Sequence, residues 1–153
     1  MTDSKIIKEA IKKPLSEAGY IKKSDTWYLR NDEVVLLVNI QKSQYGNQFY
    51  INCGASLKSL SSVEFPKEHQ CNIRFRIEDV IPSGSESNIG ALLDLEDISI
   101  SENQRKDGIL KLIVECVLPA LNALSSIKGI GEAIRSGLLA KAMVHKDVKD
   151  LVR

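Results

Sequence analysis

Val34-Val35-Leu36-Leu37-Val38-Asn39-Ile40-Gln41 and, after a short link, Gln48-Phe49-Tyr50-Ile51-Asn52-Cys53-Gly54-Ala55-Ser56-Leu57 decide the architecture of this chain. Both runs are rich in β-branched and aromatic residues, and both alternate, as strands with two unlike faces do. The link, Lys42 to Asn47 with Gly46, reads as a connection between neighbouring strands. Upstream, Thr26-Trp27-Tyr28-Leu29-Arg30 reads as a strand and Asn31-Asp32-Glu33 as a turn. Downstream, Cys71 to Ile77 reads as a fourth strand, after a Ser-rich loop over Lys58–Gln70 that contains Pro66.

Side chains alternate across a sheet, so each strand divides between two faces. One face takes Trp27, Leu29, Val34, Leu36, Val38, Ile40, Phe49, Ile51, Cys53, Ala55, Cys71, Ile73 and Phe75. It is almost wholly apolar and belongs under helices. The other takes Tyr28, Arg30, Asn39, Gln41, Tyr50, Asn52, Arg74 and Arg76, with Val35 and Leu37 as apolar exceptions. A sheet with one wet face is polar there in any case. This face, however, carries amides, tyrosines and arginines, and Tyr and Arg are enriched where proteins meet partners.

Helical spacing brackets the strands. Ile6, Ile7, Ala10, Ile11 and Leu15 recur on one face, with Asp3 or Ser4 as the cap, Gly19 as the stop and Pro14 as a kink or break. Ile81–Gly90, with Pro82, Gly84 and several serines, reads as irregular, and Ala91–Leu95 as a fifth strand or a helical turn. Ser101-Glu102-Asn103-Gln104 has the form of a capping box. Ile109, Leu112, Ile113, Cys116, Val117, Leu121 and Leu124 then trace one face, and Leu110, Val114 and Leu118 an adjoining one. This predicts a central helix packed on two sides, with Leu112, Ile113 and Val117 in the core and a bend at Pro119. Shorter helices follow over 127–140 and 147–151. The fold expected is α+β: an N-terminal helix, an antiparallel meander of four to five strands, and C-terminal helices on one face of the sheet. Residues 1–153 read as a single domain.

Trp27-Tyr28-x-Arg30, Val38-Asn39-Ile40-Gln41-Lys42-Ser43-Gln44-Tyr45-Gly46, Phe49-Tyr50-Ile51-Asn52-Cys53-Gly54 and Cys71-Asn72-Ile73-Arg74-Phe75-Arg76 resemble the bacterial family catalogued as domain of unknown function 4304. Leu15-x-x-x-Gly19-Tyr20-x-Lys22-Lys23 fits its opening helix-to-strand pattern. The resemblance covers the first half of the chain best. It supports the fold and implies no reaction.

With 21 basic and 20 acidic side chains the net charge is +1, which argues against a general nucleic-acid or membrane-surface binder. Cys53, Cys71 and Cys116 are odd in number, widely spaced and without a CxxC, as in free thiols of a reducing cytoplasm. The opening residues alternate too quickly for a signal peptide, and no apolar run nears the ~20 residues of a membrane span. His69-x-Cys71 is too few ligands for zinc, so no metal and no cofactor are expected. Neither histidine, His69 or His145, falls in a catalytic motif, and Cys53 lies on the apolar phase; no catalytic residue is assigned. Lys128-Gly129-Ile130-Gly131 imitates a phosphate-binding helix turn, but the following Glu132 opposes an anion there and favours a plain helix joint. From Glu78 to Glu102 the chain holds seven acids and no base.

The leading expectation is a non-enzymatic cytoplasmic binding module. It would hold a protein segment or a small anionic ligand on Arg30, Asn39, Gln41, Tyr50, Asn52, Arg74 and Arg76, with Arg74 and Arg76 gripping one carboxylate or phosphate together. One alternative is an enzyme acting on a phosphorylated or carboxylated small substrate at the two arginines. Another is a toxin-neutralising, immunity-type protein that docks a basic partner on its acidic edge.

Overall fold

Strand β3 (Val34–Lys42) pairs antiparallel with β4 (Phe49–Leu57), in register from Val34↔Leu57 to Lys42↔Phe49. The structure is a computed structural model describing residues 4–81 and 86–153. β2 (Thr26–Arg30) adds to β3, and β5 (Ile73–Arg76) adds to β4. Two short strands extend the sheet beyond the four to five expected: β1 (Ile21–Lys23) on β2, and β6 (Met143–Val144) on β5. The order is β1-β2-β3-β4-β5-β6 with every pairing antiparallel, an open meander. β1 is exposed at all three residues and so has no alternation to read. β6, at two residues, is too short for any period.

The helices are α1 (Lys5–Glu17), α2 (Glu86–Leu93), α3 (Glu102–Leu112), α4 (Leu118–Ala123), α5 (Ile127–Ser136) and α6 (Lys146–Leu151). Ile7, Ile11 and Leu15 of α1 join Ile109, Ile113, Val117 and Leu121 in one core with Trp27, Leu36, Val38, Ile51, Cys53, Ile73 and Phe75. The apolar sheet face thus lies under the helices, as its alternation requires. Among the described residues, no single helix is long and apolar enough to cross a membrane.

Local chemistry explains the ends and the breaks. Pro14 does not split α1; it is buried in the last turn, where the Ala10 carbonyl loses a partner. Gly19, at φ +94°, then ends the helix, with Tyr20 N–H donating to Leu15 O and Gly19 N–H to Ser16 O. The Asp3 alternative for the cap and Pro82–Ser85 of the irregular segment lie outside the described residues. Ala91–Leu93 finish α2, so they are helical, and an isolated bridge, Gln48↔Asp94, ties the end of the helix to the sheet. The capping box forms: Gln104 N–H donates to Ser101 Oγ at 3.1 Å, and Ser101 N–H to Gln104 Oε1 at 2.9 Å.

The central helix differs from expectation. Between α3 and α4, Ile113–Val117 form a π turn in which Leu118 N–H reaches back to Ile113 O. Pro119 lacks the N–H that would bond Glu115 O, and its ring crowds that carbonyl; the wider turn gives it room. The helix is covered on one side only. Ile109, Ile113, Val117 and Leu121 are fully buried, while Leu110 and Val114 are 38% and 49% exposed and Leu112 is half-buried.

All three cysteines are free: Cys53 and Cys71 buried, Cys116 half-buried. Burial pushes the Cys71 thiol up to about 12 and moves Cys53 and Cys116 in the same direction. A thiol reagent should therefore modify Cys116 first and reach Cys53 and Cys71 only on denaturation; rapid native labelling of Cys71 would contradict the packing. Unfolding releases thiols that ionise near 9. Their contribution to stability is complete below that pH and is lost as pH climbs from there toward 12.

Candidate functional site

The sheet face opposite the helices has two zones. The first is dry. Tyr28, Val35 and Leu37 pack with Cys71 and with Phe65 from the 58–70 loop. Val35 and Leu37, the exceptions to the polar pattern, are the seat on which that loop rests. Tyr28 Oη donates to Pro66 O at 2.9 Å, and its ring meets Phe65 edge to face at 5.3 Å. The Arg30 guanidinium stacks on the outer side of Phe65 at 4.7 Å, and Lys23 Nζ sits 4.0 Å from the same ring. Arg30 is thereby placed in the loop's cover, apart from the other candidate residues.

Cys71 lies here and not under the helices, a correction to the alternation. The ladder stops at Ile73↔Ala55. Beyond it Asn72 intervenes: its N–H donates to Ala55 O, and its side-chain Oδ1 takes the N–H of Leu57 at 2.8 Å. This side-chain substitution ends the strand two residues early and frees Cys71 from its phase. The sulfur rests over Gly54, where a Cβ would come within 2.9 Å of it.

The second zone is polar and brings most of the predicted residues together. Register sets Asn39 opposite Asn52, Asn52 opposite Arg76, Gln41 opposite Tyr50, and Arg74 opposite Gly54. Asn52 is 5% exposed, so its amide must be satisfied from within. Its Nδ2 donates to Gln41 Oε1 at 2.9 Å and to Asn39 Oδ1 at 3.4 Å, and its Oδ1 accepts from Arg76 Nε at 3.2 Å. Asn39 Nδ2 in turn donates to Thr26 Oγ1 at 3.0 Å. Arg76 is exposed, with its guanidinium 4.1 Å over the Tyr50 ring.

Arg74 does something different. It makes a two-pronged pair with Glu68, Nε to Oε1 at 2.9 Å and Nη2 to Oε2 at 3.0 Å, which holds the 58–70 loop to β5. The hydrogen bond to Glu68 raises the Arg74 pKa against a smaller desolvation effect. Arg74 and Arg76 are thus neighbours with separate partners. Glu68→Ala should cost about 0.5–1 kcal/mol, since the pair is part-exposed, and should open the loop to limited proteolysis near Lys67. Unchanged cleavage would show that Phe65 and Tyr28 anchor the loop unaided.

Around these residues lies an open cleft of about 330 Å³, lined by Gln41, Asn52, Arg74 and Arg76, and by Glu68, Asp79, Lys141 and Met143. Asn39 and Tyr50 support it from behind. Asp79 Oδ2 accepts the Arg76 backbone N–H at 2.8 Å. Sequence reasoning missed Lys141 and Met143, because β6 brings them beside β5 from far along the chain.

Residues 11–123 match the family model described as Domain of unknown function (DUF4304). The chain belongs to this family. No curated protein and no solved structure matches it. The DUF4304 region carries Arg30, Asn39, Gln41, Tyr50, Asn52, Arg74 and Arg76, whereas Lys141 and Met143 lie beyond it.

Two other features of this DUF4304 chain make local hydrogen bonds. The N-terminus of α5, with its Gly-Ile-Gly, is capped by Ser126 Oγ on Gly129 N–H and by Glu33 Oε2 on Ile127 N–H, both at 2.9 Å. Along the acidic segment, Asp94 and Asp97 close local turns by accepting the N–H of Glu96 and of Ser99. Arg105, which sequence gave no reason to single out, is 1% exposed and donates to the carbonyls of Ala91, Leu92 and Asp97, fixing the end of α2 against α3.

Proposed function

We propose that this DUF4304 protein is a binding module that holds an anionic group, carried by a protein segment or a small ligand, in the Arg76 cleft. The observation that carries this reading is the mounting of Arg76. Its Nε is fixed by Asn52, its plane lies on Tyr50, and it remains exposed at the mouth of the cleft. A guanidinium held in this way loses little freedom on binding and presents its planar fork to a carboxylate or phosphate. The two carboxylates of the cleft are already engaged, Glu68 by Arg74 and Asp79 by the Arg76 backbone, which favours binding over acid–base work.

Titration of isotope-labelled protein with inorganic phosphate and with acetate tests it. Signals of the Arg76 side chain and of the Asn52 and Gln41 amides should shift together and saturate. Arg76→Ala should abolish the shifts at a cost of about 1–3 kcal/mol in stability, because it removes the donor to the buried Asn52 Oδ1. Shifts scattered over surface lysines and equal in the variant would overturn the reading.

A further inference from the structure

The two arginines of the cleft stand in unlike electrical surroundings. Arg74 is held by a carboxylate: Glu68, itself in the cleft wall, accepts from its Nε and Nη2. Arg76 is held by neutral groups, its Nε on Asn52 Oδ1 and its plane over the Tyr50 ring. The other charged residues of the wall, Asp79 and Lys141, are of opposite sign. Three cations and two carboxylates therefore line the cleft, and one positive charge is in excess. The amides add donors without adding charge. Gln41 Oε1 accepts from Asn52 Nδ2 at 2.9 Å, which turns the N–H end of the exposed Gln41 amide away from Asn52.

We infer that the cleft selects singly charged oxyanions, carboxylates or phosphodiesters, over doubly charged phosphate monoesters, and that Glu68 is the residue that sets this choice. This rests on the reading of Arg76 as an anion anchor and adds the charge class of its ligand. Two opposing energies grow differently with charge. Taking an ion out of water costs in proportion to the square of its charge, whereas its attraction to a fixed cation rises only in direct proportion. A cleft with one positive charge in excess therefore favours a monoanion. Without the Glu68 carboxylate the charge of Arg74 would be uncovered, about 6–7 Å along β5 from Arg76 and on the same side of the strand. The second charge of a monoester would then have a partner. Glu68 occupies that place with the two-pronged geometry that a ligand carboxylate would use.

The test titrates isotope-labelled protein at constant ionic strength and about pH 8, following the Arg76 side chain and the Gln41 amide. The probes are dimethyl phosphate, which carries one charge, and methyl phosphate, which carries two at that pH. Wild type should bind the diester at least as tightly as the monoester. In Glu68→Gln the ratio of affinities should move about tenfold or more toward the monoester. The double variant Arg74→Gln/Glu68→Gln removes both members of the pair, restores the single excess charge, and should return the ratio to near its wild-type value. Acetate, singly charged, should follow dimethyl phosphate in all three proteins. The tighter of these two probes tells a carboxylate source from a phosphodiester one, and either result supports selection by charge. Thermal melts confirm that the variants fold. Tighter binding of the monoester by wild type overturns the inference with no variant involved. So does a ratio unchanged in Glu68→Gln, or one that stays shifted in the double variant, since a loosened loop and not the charge would then be responsible. In each of these cases the anion site itself stands, because the probes still move Arg76. If no anion moves Arg76, the anion site falls and its selectivity with it.

Discussion

Ile113→Ala should lower the free energy of unfolding by about 2–5 kcal/mol, whereas its neighbour Leu112→Ala should cost about 1 kcal/mol. Ile113 is fully buried in the main core, and its truncation leaves a cavity; Leu112 only partly meets that core. The π turn sets the difference. Ile109, Ile113, Val117 and Leu121 follow one another at a constant step of four. In a pure α-helix each such step overshoots a turn by about 40°, so the stripe would wind away from the sheet. The wider turn at Ile113–Val117 takes part of that drift back and keeps all four residues on the core. Leu112 and Cys116 are displaced to the flank. Denaturant midpoints of the two variants settle the phase: equal losses, or a larger loss at Leu112, would mean the helix is rotated from the position described.

Much of the fold was legible because the sheet has one dry and one wet face, and burial with a period of two writes itself into β3 and β4 as alternation. Where burial lacks a period, reading fails. β1 has no buried residue, β6 has no length, and Cys71 follows the local turn at Asn72 instead of the strand. The helical half was read in the right elements and the wrong coverage. Apolar residues on two faces suggest two packed sides, yet Leu110 and Val114 stay half-exposed. Composition alone does not distinguish a covered apolar face from an open one.

The polar sheet face was legible in its residues and illegible in its pairings. Alternation placed Asn39, Gln41, Tyr50, Asn52, Arg74 and Arg76 on one side, and register brought them together. That Arg74 would be taken by Glu68, and Arg76 mounted on Tyr50, depends on where a loop lands and on which rotamer packs best. Arg30 shares the face but stands at the far end of its strand, where the nearest aromatic is Phe65. Arg105 left no trace at all, because a charge that ends up buried among carbonyls looks in sequence like any other on a solvated helix.

Gly129→Ala should destabilise the protein by about 1–3 kcal/mol, against the gain of about 1 kcal/mol that helix propensity alone would give. α5 leaves α4 after only three residues and turns by 113° from the axis of the preceding helix. That turn sets the last carbonyl of α4 against the first turn of α5. A Cβ on Gly129 would stand 2.4 Å from Ala123 O and 3.1 Å from Ser126 Oγ. The first neighbour is backbone and cannot swing aside. Moving it would pull α4, with buried Ala120 and Leu121, away from the core, and would disturb the Ser126 cap whose oxygen receives Gly129 N–H. The same substitution at Gly90 supplies the contrast. That residue is also helical, but a Cβ there meets nothing within 4 Å, so Gly90→Ala should be neutral or stabilising by about 0.5–1 kcal/mol. Thermal melts of the two variants should therefore move in opposite directions. A Gly129→Ala protein that melts at or above wild type would show that the α4–α5 joint yields, and that its glycine answers to some requirement other than close packing.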